Sequence, residues 1–306
     1  MDWKTDMHSN LWVFPRGMKR NGETGENSLE WTSRYGSVVT SAFEIASTDG
    51  MNEKGLVANL LWLPETEYPV RDKNKPGLAI TAWVQYMLDN FATVEEAVAY
   101  IDEDTFQVVS DMMPDGSRLA TLHLSISDAT GDCAIFEYIG GKLTVYHSKE
   151  YKVMTNSPTY NKQLALSEYW KSIGGLSFLP GTNRAADRFA RASFYINALP
   201  ETDDERIAVA SVFSVVRNAS VPYGISTPES PEISTTQWRT VSESKNLRYF
   251  FESSLTPNTF WVNLKDFDLS EGAPVFKLSI ANGEMYHGNT AKNFKTALPF
   301  KFMGVK

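Results

Sequence analysis

Three short polar stretches carry the groups that a buried reaction centre would need: Asp49-Gly-Met-Asn-Glu-Lys-Gly55, Met154-Thr-Asn-Ser-Pro158 and Asp187-Arg-Phe189. Each sits where a predicted strand or helix begins or ends. Between them they supply a side-chain amide, a guanidinium and carboxylates, which are groups for binding and steadying negative charge. They supply no nucleophile. The single cysteine, Cys133, lies inside the apolar run Cys133-Ala-Ile-Phe-Glu-Tyr-Ile139, where a thiol behaves as a small hydrophobe with a raised pKa. The sequence has no G-x-S-x-G, no Walker loop and no G-x-G-x-x-G. His8, His123, His147 and His287 lack HxxxH or CxxC spacing, so neither a zinc site nor a cofactor is expected.

In this order and at these separations the stretches resemble the choloylglycine hydrolase family, the N-terminal-nucleophile amidases that include penicillin V acylases and bile salt hydrolases. The resemblance runs from Met1 to about Phe260. It implies a catalytic cysteine at the head of the mature chain, with that residue's own α-amino group as base. A free α-amine has a reference pKa near ~8 and can take a thiol proton at neutral pH without a histidine. Met1-Asp2-Trp3 matches the end of an Arg-x-Met-Asp-like segment that follows the nucleophile by about two strands. The resemblance therefore puts the cysteine and that arginine before Met1. The expectation is a chain truncated at its N-terminus, lacking one or two strands of a central sheet and inactive alone.

Residue by residue, the resemblance gives Asp2 the role of holding the nucleophile's amino group, as the third member of a triad orients an imidazole. The alternative is a loose terminal charge. Asn156 matches the oxyanion-hole asparagine, a neutral donor for a developing alkoxide; on its own, Asn-Ser-Pro would be a turn. The second oxyanion donor falls on the backbone N–H of Trp62. Trp62 and Trp3 would set flat apolar surface beside the acyl group, favouring aromatic or fatty acyl amides over conjugated bile acids, whereas core packing is the commoner fate of tryptophan. Arg188 matches a late arginine whose fixed charge would favour thiolate, and the alternative is an exposed helix charge, shared by Arg184 and Arg191. Asp187 beside it could pair with Arg188 and offset it. Asn52-Glu-Lys-Gly55 has no chemistry: Gly55 allows a turn and Asn52 caps it.

The composition is that of a water-soluble globular protein. At 306 residues, with 42% hydrophobic and 22% charged, a substantial core can be buried. No run nears the ~20 apolar residues of a membrane helix, and no signal peptide opens the chain. A net charge of −8 opposes nucleic acid as a partner. The expected partner is a small-molecule amide. The resemblance adds a possible homotetramer and, for aromatic-lined relatives, a periplasmic location.

The elements that must position these groups are legible in part. Leu122, Leu124 and Ile126 alternate with Thr121, His123 and Ser125, a strand with one wet or partly polar face. Cys133–Ile139 follows as a strand apolar on both faces, and Gly140-Gly141 turns it into Lys142–Tyr146. Helices are predicted over Leu78–Asn90, from the capping box Thr93-Val-Glu-Glu96 to about Ile101, over Arg184–Leu199, and from the capping box Thr202-Asp-Asp-Glu205 to about Asn218. Asn10-Leu-Trp-Val-Phe-Pro15 reads as a core strand followed by a polar loop, Arg16–Asn27. Strands return at Thr235–Val241, Leu247–Glu252 and Phe260–Leu264, after a surface loop over 219–234 with Pro222, Pro228 and Pro231. Strands, then helices, then strands without a linker favour a single α+β domain over 1–306. Two antiparallel sheets face to face with helices outside, the four-layer αββα sandwich of the resembling family, would cover the doubly apolar strand. Two further readings are a binding protein that keeps the pocket without the nucleophile, and a carbohydrate-binding sandwich using surface Trp and Tyr.

Overall fold

The computed structural model describes residues 1–229 and 233–305; Pro231 of the predicted surface loop lies outside them. Apolar runs with β-branched and aromatic residues build a nine-stranded antiparallel sheet. Leu11–Phe14, Ser37–Ala42, Ala46–Asn52 and Val57–Trp62 are neighbours in chain order, and Leu122–Ser127, Cys133–Ile139 and Lys142–His147 continue beyond Val57–Trp62. Phe276–Leu278 and Lys295–Thr296 extend the opposite flank. Gly140 and Gly141 take φ of 55° and 74° in the last hairpin, values that side chains with a Cβ rarely adopt. A second sheet consists of Trp238–Glu243, Arg248–Ser253 and Thr259–Asn263, antiparallel, with Gly288–Asn289 added in parallel at its edge. That parallel pair departs from the expected wholly antiparallel sheets.

Both faces of the large sheet are covered, as the doubly apolar strands require. On one face Leu60, Leu124 and Phe136 pack on Trp83, Val84 and Met87 of α1 (Trp83–Asn90) and on Val94 and Ala97 of α2 (Val94–Asp102). On the other, Leu11, Val13, Val38 and Met51 meet Tyr249, Phe251 and Phe260 of the second sheet. α3 (Tyr160–Ile173) packs on α4 (Ala185–Ala198), which packs on α5 (Glu205–Asn218). α5 lies on the outer face of the second sheet, with Phe213 edge-on to Phe250. The result is the αββα sandwich. Truncating a buried aromatic such as Phe136 would cost about 3–5 kcal/mol, because a close-packed core relaxes little around a hole.

Local structure corrects several expectations. Gly77–Ala79 is a short strand pairing in parallel with Gln107–Val109, so the helix predicted from Leu78 begins at Trp83 after one 3-10 turn. Thr93 caps α2 by accepting from Glu96 N, but the Glu96 carboxylate takes the amide of Ala92 in place of Thr93. The cap of α5 is Asp204, which accepts from the amides of Arg206 and Ile207, while Thr202 accepts from Asp204 N. Lys19–Asn21 is a strand within the predicted polar loop, and α3 answers to no predicted element.

Candidate active site

Asp2 belongs to a two-residue strand, Asp2–Trp3, paired antiparallel with Thr235–Thr236. The Met1 nitrogen beside it is buried and donates to the Trp238 carbonyl at 2.8 Å. Both Asp2 oxygens are engaged: Thr236 Oγ1 donates to Oδ1 at 2.6 Å, and Arg188 Nη1 lies 3.4 Å from Oδ2. This is not a loose terminal charge. Arg188, in the first turns of α4, is only 13% exposed, so it is not a solvated helix charge either. Burial lowers its pKa and the Asp2 carboxylate opposes that shift; a guanidinium stays charged at neutral pH in any case. Asp187 does not offset it, because the Asp187 carboxylate accepts from the Thr182 hydroxyl. Arg191 is also buried, donating to the carbonyls of Pro180 and Thr182 at 2.7 and 2.8 Å.

Arg188 joins Asp2 to Asn156. Its Nη2 donates to Asn156 Oδ1 at 2.8 Å, and Asn156 Nδ2 donates to the Trp62 carbonyl at 2.8 Å. A guanidinium can only donate, so it fixes which end of the amide faces it. One of the two Nδ2 hydrogens goes to Trp62 and the second is left for another acceptor. The Trp62 N–H points the same way. Leu63 N donates to Thr121 O at 2.9 Å, and antiparallel ladders alternate, so Trp62 turns its N–H and C=O away from Leu122–Ser127. Pairing on its other side reaches only Asn59, which leaves Trp62 projecting beyond the neighbouring strand towards Asn156.

The turn that aims Asn156 is fastened from below. Gln163, 1% exposed on α3, donates Nε2 to the carbonyls of Asn156 and Pro158 at 2.5 and 2.8 Å, and its Oε1 accepts from Thr155 Oγ1 at 2.7 Å. Glu137 accepts the Tyr160 amide at 2.9 Å, where a helix N-terminus presents unpaired donors, and bonds His123 Nδ1 at 2.9 Å. On the polar side of Leu122–Ser127, His123 and its partner Glu137 are both fully buried, while Ser125 lines the cavity.

Asp2, Trp62, Asn156 and Arg188 line one cavity of about 520 Å³, which also contains Trp3, with ring centroids 5.7 Å from Trp62, and the apolar walls Leu60, Ile80, Val212 and Val215. That volume suits a small organic ligand. Asp49 sits in its floor, accepting from Tyr249 Oη, from Thr240 Oγ1 at 3.0 Å and from Asn59 Nδ2 at 2.6 Å. Burial outweighs these three bonds and raises its pKa. Asn52 and Gly55 build the adjoining turn: Asn52 Oδ1 accepts from Lys54 N and Leu56 N, and Gly55 has φ 84°. Cys133 is half-buried at the first position of its strand, not within it, and outside the cavity lining. Burial, then the carboxylates of Asp132 and Asp128, push its thiol up to about 11. Among the described residues no His, Cys, Asp and Glu cluster could hold a metal ion, and no helix is long and apolar enough to cross a membrane.

A family model of linear amide C–N hydrolases, choloylglycine hydrolase family, matches residues 1–277. The chain belongs to the choloylglycine hydrolase family. A penicillin V acylase of Pectobacterium atrosepticum is 50% identical over 327 aligned positions, covering 100% of this chain and 87% of the relative. A bile salt hydrolase/transferase of Clostridium perfringens is 28% identical, over 73% of this chain and 74% of its own. Among solved structures, penicillin V acylase from Agrobacterium tumefaciens superposes with a TM-score of 0.93 at 56% identity, covering 100% and 94% of the two chains. A point variant of the conjugated bile acid hydrolase from Clostridium perfringens shares the fold, with a TM-score of 0.77 at 23% identity and 91% coverage of each. Within this amide hydrolase family member, the three quoted stretches meet: Asp49, Asn156 and Arg188 line the same cavity with Asp2, Trp3 and Trp62. Sequence reasoning missed Gln163 and Glu137. Only Glu137 left a signal, a carboxylate in the middle of an apolar run that must be buried.

Proposed function

We propose that this chain forms the reaction cavity of a penicillin V acylase-like enzyme that cleaves a linear amide through an acyl thioester. The attacking atom is the thiol of a cysteine that precedes Met1 in the full-length product. The thiolate adds to the substrate carbonyl carbon while the proton passes to that cysteine's own α-amine. The carbonyl oxygen becomes an alkoxide between Asn156 Nδ2–H and Trp62 N–H. Collapse breaks the C–N bond, the amine leaves with the proton, and water then releases the acid by the same route in reverse. Asp2 orients the α-ammonium, and Arg188 holds Asp2 and Asn156 in register while favouring thiolate.

The observation that supports this reading is the Asp2–Arg188–Asn156–Trp62 chain of contacts, which sets the Asn156 amide beside the Trp62 peptide in a largely apolar cavity. The tilted Trp3–Trp62 pair favours a flat or fatty acyl group, as in phenoxyacetyl penicillin-like or N-acyl homoserine lactone-like amides, over conjugated bile acids. The test is to express the reading frame extended upstream to an in-frame cysteine and assay phenoxymethylpenicillin. Release of the free β-lactam amine, with a phenoxyacetyl adduct on the N-terminal cysteine by mass spectrometry, is expected. An extended product that is folded and inactive on every acyl amide tried would overturn the reading.

A further inference from the structure

The chain after Lys295–Thr296 leaves the large sheet and returns to the reaction cavity. Phe300 and Phe302 anchor it in the core, with Phe300 edge-on to Trp12, Phe14 and Phe302. The next three residues, Met303, Gly304 and Val305, line the cavity. Met303 is held at both backbone groups: its N–H donates to the Ile45 carbonyl at 3.0 Å, and its carbonyl accepts from Thr81 Oγ1 at 2.8 Å. Val305 N donates to the Glu23 carbonyl at 2.8 Å. A Cβ at Gly304 would also stand 2.8 Å from that carbonyl oxygen, closer than real Cβ atoms come, so glycine lets the tail lie this tight. The tail lies beyond residues 1–277, which the family model matches.

Strand register places this wall relative to Trp62. The ladder between Ala46–Asn52 and Val57–Trp62 stops at the pair Asp49 and Asn59. Carried on in that register, Trp62 would stand level with Ala46, and both residues line the cavity. The cavity therefore opens where the two strands part, with Trp62 on one lip and the tail bonded to the other at Ile45. The part of the lining made by Phe43, Ile45, Ile80, Met303 and Val305 is apolar, and none of the charged residues that line the cavity comes from residues 42–46, 79–81 or 303–305. The Thr81 hydroxyl there is spent on Met303. We infer that the tail is the acyl-length stop of the cavity, with Met303 and Val305 as specificity residues that set how long an acyl chain fits. This rests on the proposed amidase reading and deepens it.

The test uses binding and so needs no nucleophile. The probes are N-acylglycinamides with straight acyl chains of four to ten carbons, which share one neutral amine half. Their affinities for this chain are measured by tryptophan fluorescence and calorimetry. In wild type the affinity should rise about fourfold per added methylene and then stop rising where the chain end meets the tail. The stop should move to longer chains in Met303→Ala and Val305→Ala and to shorter ones in Met303→Trp; equal melting temperatures show that each variant is folded. A rise that continues unbroken to ten carbons in wild type, or a stop at one length in wild type and all three variants, would overturn the assignment while leaving the acyl cavity intact. Failure of every probe to bind wild type would instead overturn the cavity reading, and this length stop with it.

Discussion

Gln163→Leu isolates the platform beneath Asn156. Leucine keeps much of the shape but strands the carbonyls of Asn156 and Pro158, which Gln163 Nε2 now satisfies at 2.5 and 2.8 Å. The Thr155 hydroxyl keeps a partner, since it also reaches the Ala185 carbonyl at 2.9 Å. Two buried acceptors left open at ~1 kcal/mol or more each, less a little regained apolar burial, give a loss of about 2 kcal/mol. With 306 residues at ~2.1 cal/mol/K each, the unfolding entropy is ~0.6 kcal/mol/K, so the melting temperature should fall by about 3 °C. Hydrogen exchange by mass spectrometry should show faster exchange confined to residues 155–160. Gln163→Glu should be no better, because it keeps the acceptor for Thr155 but faces the two carbonyls with a carboxylate. A melting temperature within 0.5 °C of wild type with unchanged exchange at 155–160 would refute the fastening of this turn by Gln163.

Two further outcomes test the electrostatics. The Cys133 thiol, pushed up to about 11, should react with iodoacetamide at pH 7 roughly 20-fold more slowly than a free cysteine, after its greater intrinsic nucleophilicity is counted; a rate equal to that of free cysteine would contradict its burial. For Asp49, burial raises the folded pKa above the unfolded value near ~3.9, so the native state holds its proton to higher pH. The stability it contributes is full below ~3.9 and is lost as pH rises through the folded pKa. The melting temperature of Asp49→Asn minus that of wild type should therefore grow more positive from pH 4.5 to 7.5, and a flat or falling difference would refute the direction.

What was legible in the sequence follows what side-chain periodicity can carry. Cys133–Ile139 and its Gly-Gly turn were readable because apolar runs and positive-φ glycines are local signals. α3 was not, for a physical reason: the residues it buries are Tyr160, Gln163 and Ser167, so its inner face has no apolar stripe for a helical period to reveal. His123 misled in a similar way, since a polar residue facing a buried partner, here Glu137 on the next strand, looks like one facing water. The parallel pairing of Gly77–Ala79 with Gln107–Val109 spans too much chain for any local pattern to show. At the site, the resemblance named Asp2, Asn156, Arg188 and Trp62, but only the fold shows their contacts, which tie residues 2, 62, 156 and 188 into one line. Asp49 and Tyr249 meet across 200 residues and left no trace in the sequence.

The most direct measurement is the single-turnover acylation rate of the cysteine-bearing enzyme with phenoxymethylpenicillin, compared between wild type and Asn156→Ala. If Asn156 and the Trp62 amide hold the alkoxide, the rate should fall by ~10²–10³ with KM changed only a few-fold. A loss below about threefold in a folded variant would mean that negative charge is stabilised elsewhere, and the site described above would be wrong.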